Sequence, residues 1–171
     1  MQKKKNFRRR AALYFLLLLV LYLLQFSRGT RLRLWGVSPD LIPFLLAAAA
    51  LFEGPYVGAA LGLAAGLLTA VNSGAPEGLL ALYYSLGCLG LGWFTARHMR
   101  RTLPAALLCG AALSSVKTLL TFFFFYALVY RAHSLGALVW SGYSLLFSAL
   151  LAPLVYWAVK KIHSRFDEEE E

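Results

Sequence analysis

Long apolar runs alternate with short polar segments along the whole chain. The six apolar runs cover residues 11–27, 37–52, 56–71, 79–96, 103–129 and 135–159. Runs of about 17–25 apolar residues are typical of helices that span a membrane. The pattern predicts an all-α protein: a polytopic membrane helix bundle of about six transmembrane helices. It forms a single integral membrane domain over residues 1–171, with the six-span bundle at 11–159.

The second run is the shortest predicted element. Ser38 can cap a helix, Pro39 suits its first position, and Asp40 would meet the positive end of the helix dipole. A helix from Pro39 to Phe52 would rise only about 21 Å. We therefore expect this span to be short, tilted or partly re-entrant.

The composition excludes a soluble domain. Of 171 residues, 60% are hydrophobic and 15% charged, against roughly 45–50% and 25% in soluble proteins. The same hydrophobicity excludes a disordered chain, and two cysteines exclude a disulfide scaffold.

Lysine and arginine concentrate on one side of the predicted bundle. That side carries 12 of them, six within residues 1–10 and six after the fourth and sixth runs, and the other side carries four. Because short cytoplasmic loops are enriched in Lys and Arg, we expect both termini in the cytoplasm. Residues 1–10 then form a basic N-terminus and residues 160–171 a cytoplasmic tail. A cleaved signal peptide is the alternative for the first run, but no small-x-small cleavage site follows it.

Small residues form strips on two predicted helices. Gly58, Gly62 and Gly66 recur every four residues, and Gly87 and Gly90 form a weaker strip. Such strips allow another helix backbone to approach closely. The sequence leaves two interpretations open: packing within this bundle, or a docking face for a partner helix.

Lys117 is the one charged residue deep inside a predicted span. By helical spacing it shares a face with Ser114 and Thr118, and this face is expected to point inward. An ionisable residue within a membrane is a candidate functional residue. The alternatives are a neutral lysine, or one paired for folding alone with Asp40 or with one of two other carboxylates, Glu53 and Glu77.

Recognisable catalytic chemistry is missing from the sequence. The three histidines are far apart, and no zinc-protease, nucleophile-elbow or phosphate-loop motif occurs. We therefore expect no enzyme activity, no metal and no cofactor. Carboxylates lie only at the ends of the spans, which disfavours an ion-coupled pump. The basic N-terminus is short and holds only one aromatic residue, Phe7, so it fits the lipid bilayer surface better than nucleic acid.

Residues 38–82 contain a series of short motifs in a fixed order. They are Pro-Asp-Leu-Ile at 39–42, Phe-Glu-Gly-Pro at 52–55, the glycine ladder formed by Gly58, Gly62 and Gly66, and the Gly-containing loop that precedes Gly78-Leu79. This order of motifs resembles the family of the rod shape-determining membrane protein MreD. One position departs from the family: Ala70 stands where an acidic residue is expected.

The resemblance implies a non-enzymatic adaptor of the bacterial cell-elongation machinery in the cytoplasmic (inner) membrane, which supports peptidoglycan synthesis and cell shape. Its expected partner is an MreC-like single-span scaffold protein, which links it indirectly to an MreB-like filament and to peptidoglycan synthases.

A substrate-binding subunit of an energy-coupling-factor vitamin transporter is the alternative. Such subunits are similar in size and number of spans. Their Ala-x-x-x-Ala spacing on the first helix is absent here, where only the adjacent Ala11 and Ala12 occur. Arginines in the outer loops and Lys117 would hold the ligand in this reading.

Overall fold

The computed structural model describes residues 2–26, 39–73, 78–98, 102–123 and 135–167, and these residues form six α-helices and no strand. The helices are α1 (Gln2–Phe26), α2 (Ile42–Glu53), α3 (Pro55–Ser73), α4 (Leu79–His98), α5 (Leu103–Thr121) and α6 (Leu135–Asp167). The all-α class is therefore confirmed.

Three of these helices have the length and apolar character needed to cross a bilayer. They are α4, α5 and the segment Gly142–Arg165 of α6. Two shorter apolar helices, Ile42–Glu53 and Pro55–Val71, accompany them. Outward-facing side chains are large and apolar; on α6, Leu146, Leu150 and Leu154 are each about two-thirds exposed or more. This is the surface of a protein solvated by lipid rather than by water.

Helix α2 begins later than the sequence predicted. Pro39 and Asp40 lie outside the helix, which starts at Ile42 with Pro43 in its first turn. Pro43 explains the difference. A helix that began at Pro39 would need the residue 43 amide as donor to the Pro39 carbonyl, and proline has no N–H. The Pro39 carbonyl accepts from Gln25 Nε2 instead, and the Asp40 amide donates to Ser148 Oγ.

Helix α2 is the centre of the bundle and contacts all five other helices. Each of its residues from Ile42 to Phe52 is buried. A helix that is apolar all round belongs in a core, and the alanines at 47–50 keep its surface narrow enough for neighbours on every side. Its shortness is thus compatible with its position, because it presents no face to lipid.

A one-residue connection turns α2 into α3. Gly54 has a φ of +91°, a conformation that disfavours any residue with a side chain. Its amide donates to the Ala50 carbonyl, and its own carbonyl accepts from the Gly58 amide. The helix pair therefore needs glycine here, followed by Pro55 at the first position of α3.

The glycine ladder joins α3 to α4 in the most extensive helix contact of the bundle. A Cβ atom added at Gly62 would lie 2.5 Å from the Tyr84 carbonyl oxygen, and one added at Gly66 would lie 2.2 Å from Ala81 Cα. Both neighbours are backbone, which cannot move aside. The α4 backbone therefore lies in close contact with both glycines.

Helices α1 and α6 both contact the C-terminal end of α2. Arg10, near the start of α1, and His163, near the end of α6, both contact Glu53 at the end of α2. Six of the 17 Lys and Arg residues lie in the first turns of α1, since the helix is continuous from Gln2.

Substitution of Gly66 by alanine is expected to lower the stability of the bundle by about 2–4 kcal/mol or to prevent folding, because the α4 backbone blocks the added methyl group. Gly90→Ala is the matched control on α4, since an added Cβ there meets no atom within 4 Å. Thermal unfolding of the purified variants in detergent measures both. Equal stability of the two variants would contradict the close packing of α3 on α4.

Candidate functional site

Among the described residues, two polar clusters lie inside the bundle, one at each end of α2. Asp40 and Glu53 mark these ends, about 20 Å apart along the helix. The cluster around Asp40, called the Lys117 cluster, contains Asp40, Tyr83, Tyr84, Lys117 and Ser148. The cluster around Glu53, called the Glu53 cluster, contains Arg10, Tyr14, Glu53 and His163.

An ion pair forms the middle of the Lys117 cluster. Lys117 Nζ donates a hydrogen bond to Asp40 Oδ2. The Lys117 and Asp40 side chains are 23% and 22% exposed, respectively, so the ion pair is mostly but not completely buried. Of the three carboxylates that the sequence offered to Lys117, the structure selects Asp40.

The backbone of Asp40 is anchored separately from its side chain. Its amide donates to Ser148 Oγ at 2.6 Å, and Ser148 donates in turn to the Ser144 carbonyl at 2.6 Å. Ser148 is fully buried on α6. The segment before α2 is thereby tied to α6 through the amide, to α5 through the carboxylate, and to α1 through Gln25.

Two adjacent tyrosines of α4 complete the Lys117 cluster and differ in their hydrogen bonds. Tyr83 donates to the Leu113 carbonyl on α5 at 2.5 Å. Tyr84 is fully buried, and its hydroxyl lies within hydrogen-bonding range of the Lys117 side chain. Four helices or their ends thus meet at the Lys117 cluster.

The Glu53 cluster concentrates donors on one carboxylate. Glu53 Oε1 accepts from the Tyr14 hydroxyl at 3.1 Å, lies 2.9 Å from His163 Nδ1, and lies 3.9 Å from Arg10 Nη1. Because a carboxylate only accepts, His163 must carry a proton on Nδ1. The Phe52 ring packs against the His163 ring with centroids 5.2 Å apart.

Electrostatics explains why several hydrogen-bond donors surround the Glu53 carboxylate. Glu53 is the last residue of α2, where the partial negative charge of the helix end opposes a carboxylate. Its side chain is only 8% exposed, so water contributes little. The charge of Arg10 and the hydrogen bonds from Tyr14 and His163 compensate for both effects, and the cluster holds α1, α2 and α6 together.

The glycines proposed as partner-packing residues are mostly covered by the chain itself. Gly58 lies against Ala50, Gly62 and Gly66 against α4, and Gly87 against Leu113. Gly90 is the exception, because an added Cβ would meet nothing within 4 Å. A partner helix could reach Gly62 and Gly66 only by displacing α4.

The polar face predicted for α5 does point inward. Ser114 is buried, and Lys117 and Thr118 are half-buried, while Leu108 and Leu119 on the opposite side are exposed. Glu77, the arginines of the first loop, and the Arg131–His133 region lie outside the described residues.

Sequence reasoning missed the Glu53 cluster, whose members come from distant parts of the chain. The signal available was Glu53 itself, an acid at the C-terminal end of an apolar helix, where a carboxylate needs cationic partners. Within the described residues, no group of three or more His, Cys, Asp or Glu side chains converges on a metal-sized site.

Comparison of the chain with protein-family models, with curated proteins and with solved structures finds no match.

Removing one partner of the ion pair is expected to cost more than removing both. Lys117→Met leaves the Asp40 carboxylate buried without a counter-ion, which costs about 3–5 kcal/mol. The double variant Lys117→Met, Asp40→Asn is expected to recover much of this loss, since no buried charge remains. Thermal unfolding in detergent of the two single variants and the double variant measures the coupling. Additive losses would contradict a direct pair.

In the Glu53 cluster, Glu53→Gln is expected to lower stability by about 1.5–3 kcal/mol, because it removes the charge that attracts Arg10 and His163. Tyr14→Phe is the matched variant: it removes one hydrogen bond and leaves the charge, so a smaller loss of about 1 kcal/mol is expected. The same unfolding assay ranks the two. The reverse order would show that the charge of Glu53 does not hold α1 and α6.

Proposed function

We propose that this chain is a non-enzymatic membrane adaptor of the bacterial cell-elongation machinery, similar to MreD. The observation that supports the proposal is that each of the MreD-like sequence motifs has a structural role in the bundle. Asp40 of the Pro-Asp motif takes part in the Lys117 cluster, Gly54 makes the α2–α3 turn, and the glycine ladder packs α3 on α4. The motifs that occur in the same order as in the MreD family thus lie in neighbouring elements of the bundle.

The proposed topology has six crossings of the bacterial inner membrane with both termini in the cytoplasm. Its support is the Glu53 cluster, which brings the start of α1 and the end of α6 to one end of the bundle. The exposed residues Arg9, Arg97, Lys160 and Lys161 lie on the helix ends that this topology places together. Enrichment of Lys and Arg is typical of the cytoplasmic side.

The proposed partner is an MreC-like scaffold with a single membrane-spanning helix. Since the glycine ladder is filled by α4, the exposed face of α4 around Gly90 replaces it as the proposed contact. There Leu86 and Trp93 are about two-thirds exposed, and Gly90 leaves room between them for a close helix approach. Through this partner the chain would support an MreB-like filament and peptidoglycan synthases.

Affinity purification from native membranes in mild detergent tests the proposal. Capture of MreC-like and peptidoglycan-synthase subunits is expected, and Gly90→Leu is expected to reduce it at least several-fold by blocking the contact. Gly142→Leu is the matched control, because Gly142 on α6 is equally open. An equal loss of partner capture in both variants would contradict the proposal that the partner binds the α4 face around Gly90. Recovery of ATPase subunits with a transmembrane coupling protein would instead support the transporter alternative.

A further inference from the structure

One outward stripe of α6 changes from apolar to basic along its length. Its residues, called the α6 stripe, are all exposed and follow one another at intervals of three or four positions, which places them on one helix face. In chain order they are Leu146, Leu150, Leu154, Trp157, Lys161 and Arg165. Exposed leucines on a membrane-spanning helix contact lipid tails. The bilayer surface therefore lies where the stripe changes from leucine to tryptophan and then to cations.

Lys161 is held at the level of this boundary. Its ammonium lies over the Trp157 ring, 4.9 Å from the ring centroid. Side chains of a helix lean toward its N-terminus, so this lysine reaches back toward the leucines rather than out into water. Tryptophan is typical of headgroup depth, and a cation held over its ring lies at the same depth. The positive charge of Lys161 is therefore level with the phosphates of the lipids.

Two further exposed cations accompany Lys161. Lys160 is its neighbour in the chain, and Arg165 follows one helical turn later. The two carboxylates whose side chains the structure places, Asp40 and Glu53, lie inside the bundle, where they contact Lys117 and the donors of the Glu53 cluster. Neither of them neutralises the cations of α6, which face the surroundings of the bundle.

The acidic end of the chain lies further along the helix than these cations. Asp167 is about 9 Å of helix rise beyond Lys161 and about 15 Å beyond Trp157, and four glutamates follow it in the sequence. Exposed charges more than about 8–10 Å apart are largely screened at physiological ionic strength. Along α6, Lys160 and Lys161 thus lie closer to the bilayer than the acidic residues do.

We propose that Lys160, Lys161 and Arg165, with Trp157 holding Lys161 at headgroup depth, bind the phosphate of an anionic phospholipid. The ammonium and guanidinium groups supply positive charge and N–H donors, and a guanidinium binds two phosphate oxygens at once. The leucines of the α6 stripe contact the acyl chains of the same molecule. A lipid fits this surface better than a free phosphate, because the basic part continues directly into the apolar part. The inference requires a membrane protein and does not depend on the adaptor role.

Lipid titration of the full-length protein in detergent, followed by native mass spectrometry, tests the proposal. The two probes are phosphatidylglycerol, which is anionic, and phosphatidylcholine, which has no net charge. The double variant Lys161→Gln, Arg165→Gln is expected to weaken phosphatidylglycerol binding about ten-fold or more and to leave phosphatidylcholine binding unchanged. The matched control is Arg9→Gln, Arg97→Gln, which removes the same charge from exposed positions on α1 and α4. Its expected effect is less than about two-fold.

Three results of this titration would overturn the inference. Equal weakening in the two double variants would show that binding follows net charge and not the α6 stripe. Equal affinity of the unchanged protein for the two lipids would show that the cations do not select an anionic headgroup. Displacement of phosphatidylglycerol by an equal concentration of inorganic phosphate would show that the leucines contribute nothing to binding.

The acidic end of the chain is the competing occupant of the basic surface, and a second variant separates it from lipid. Replacement of Asp167 by Asn and of Glu168–Glu171 by Gln in the full-length protein is expected to change phosphatidylglycerol affinity less than about two-fold, because these charges lie beyond the cations. An increase of about ten-fold would show that the acidic residues occupy the basic surface themselves, which would also overturn the inference.

Discussion

The structure depends on the complete burial of α2. A helix that touches no lipid gains nothing from the bilayer, so everything that fixes its position must come from its neighbours. Its sides are apolar and its central alanines are small, which lets five helices pack around it. Apolar packing alone places few restrictions on the sliding and rotation of a helix. The polar contacts at the two ends of α2 supply these restrictions.

Small residues and polar residues have separate roles in this arrangement. The small ones set distances: Gly58 meets Ala50 across the α2–α3 pair, and Gly62 and Gly66 bring α3 against the α4 backbone. The polar ones set register: moving α5 by one helical turn, about 5.4 Å, would separate Lys117 from Asp40. The first set therefore favours close packing, and the second favours one alignment among several closely packed ones.

The elements were largely predictable, and the contacts between them largely were not. Apolar runs located all six helices, and helical spacing placed Ser114 and Lys117 on an inward face. The start of α2 was misplaced because Ser38-Pro39-Asp40 has the local features of a helix start, while Pro43 has no N–H to donate to the Pro39 carbonyl, which accepts from Gln25 instead. Sequence offered three partners for Lys117 without ranking them. The Glu53–His163 contact joins residues 110 positions apart in the sequence, and no local sequence pattern predicts such a contact.

The two ends of α2 differ in a way that the helix dipole explains. Both ends carry an acid, so charge alone does not define which way α2 points. Asp40 precedes the N-terminus, where the helix itself stabilises a carboxylate, and one lysine suffices. Glu53 stands at the C-terminus, where the helix opposes a carboxylate, and there a tyrosine, a histidine and an arginine converge. Reversing α2 would place Asp40 among the many donors and leave Glu53 with one lysine at its unfavourable helix end. The unequal number of donors at the two ends therefore favours the observed orientation of α2, beyond what a buried ion pair contributes to stability.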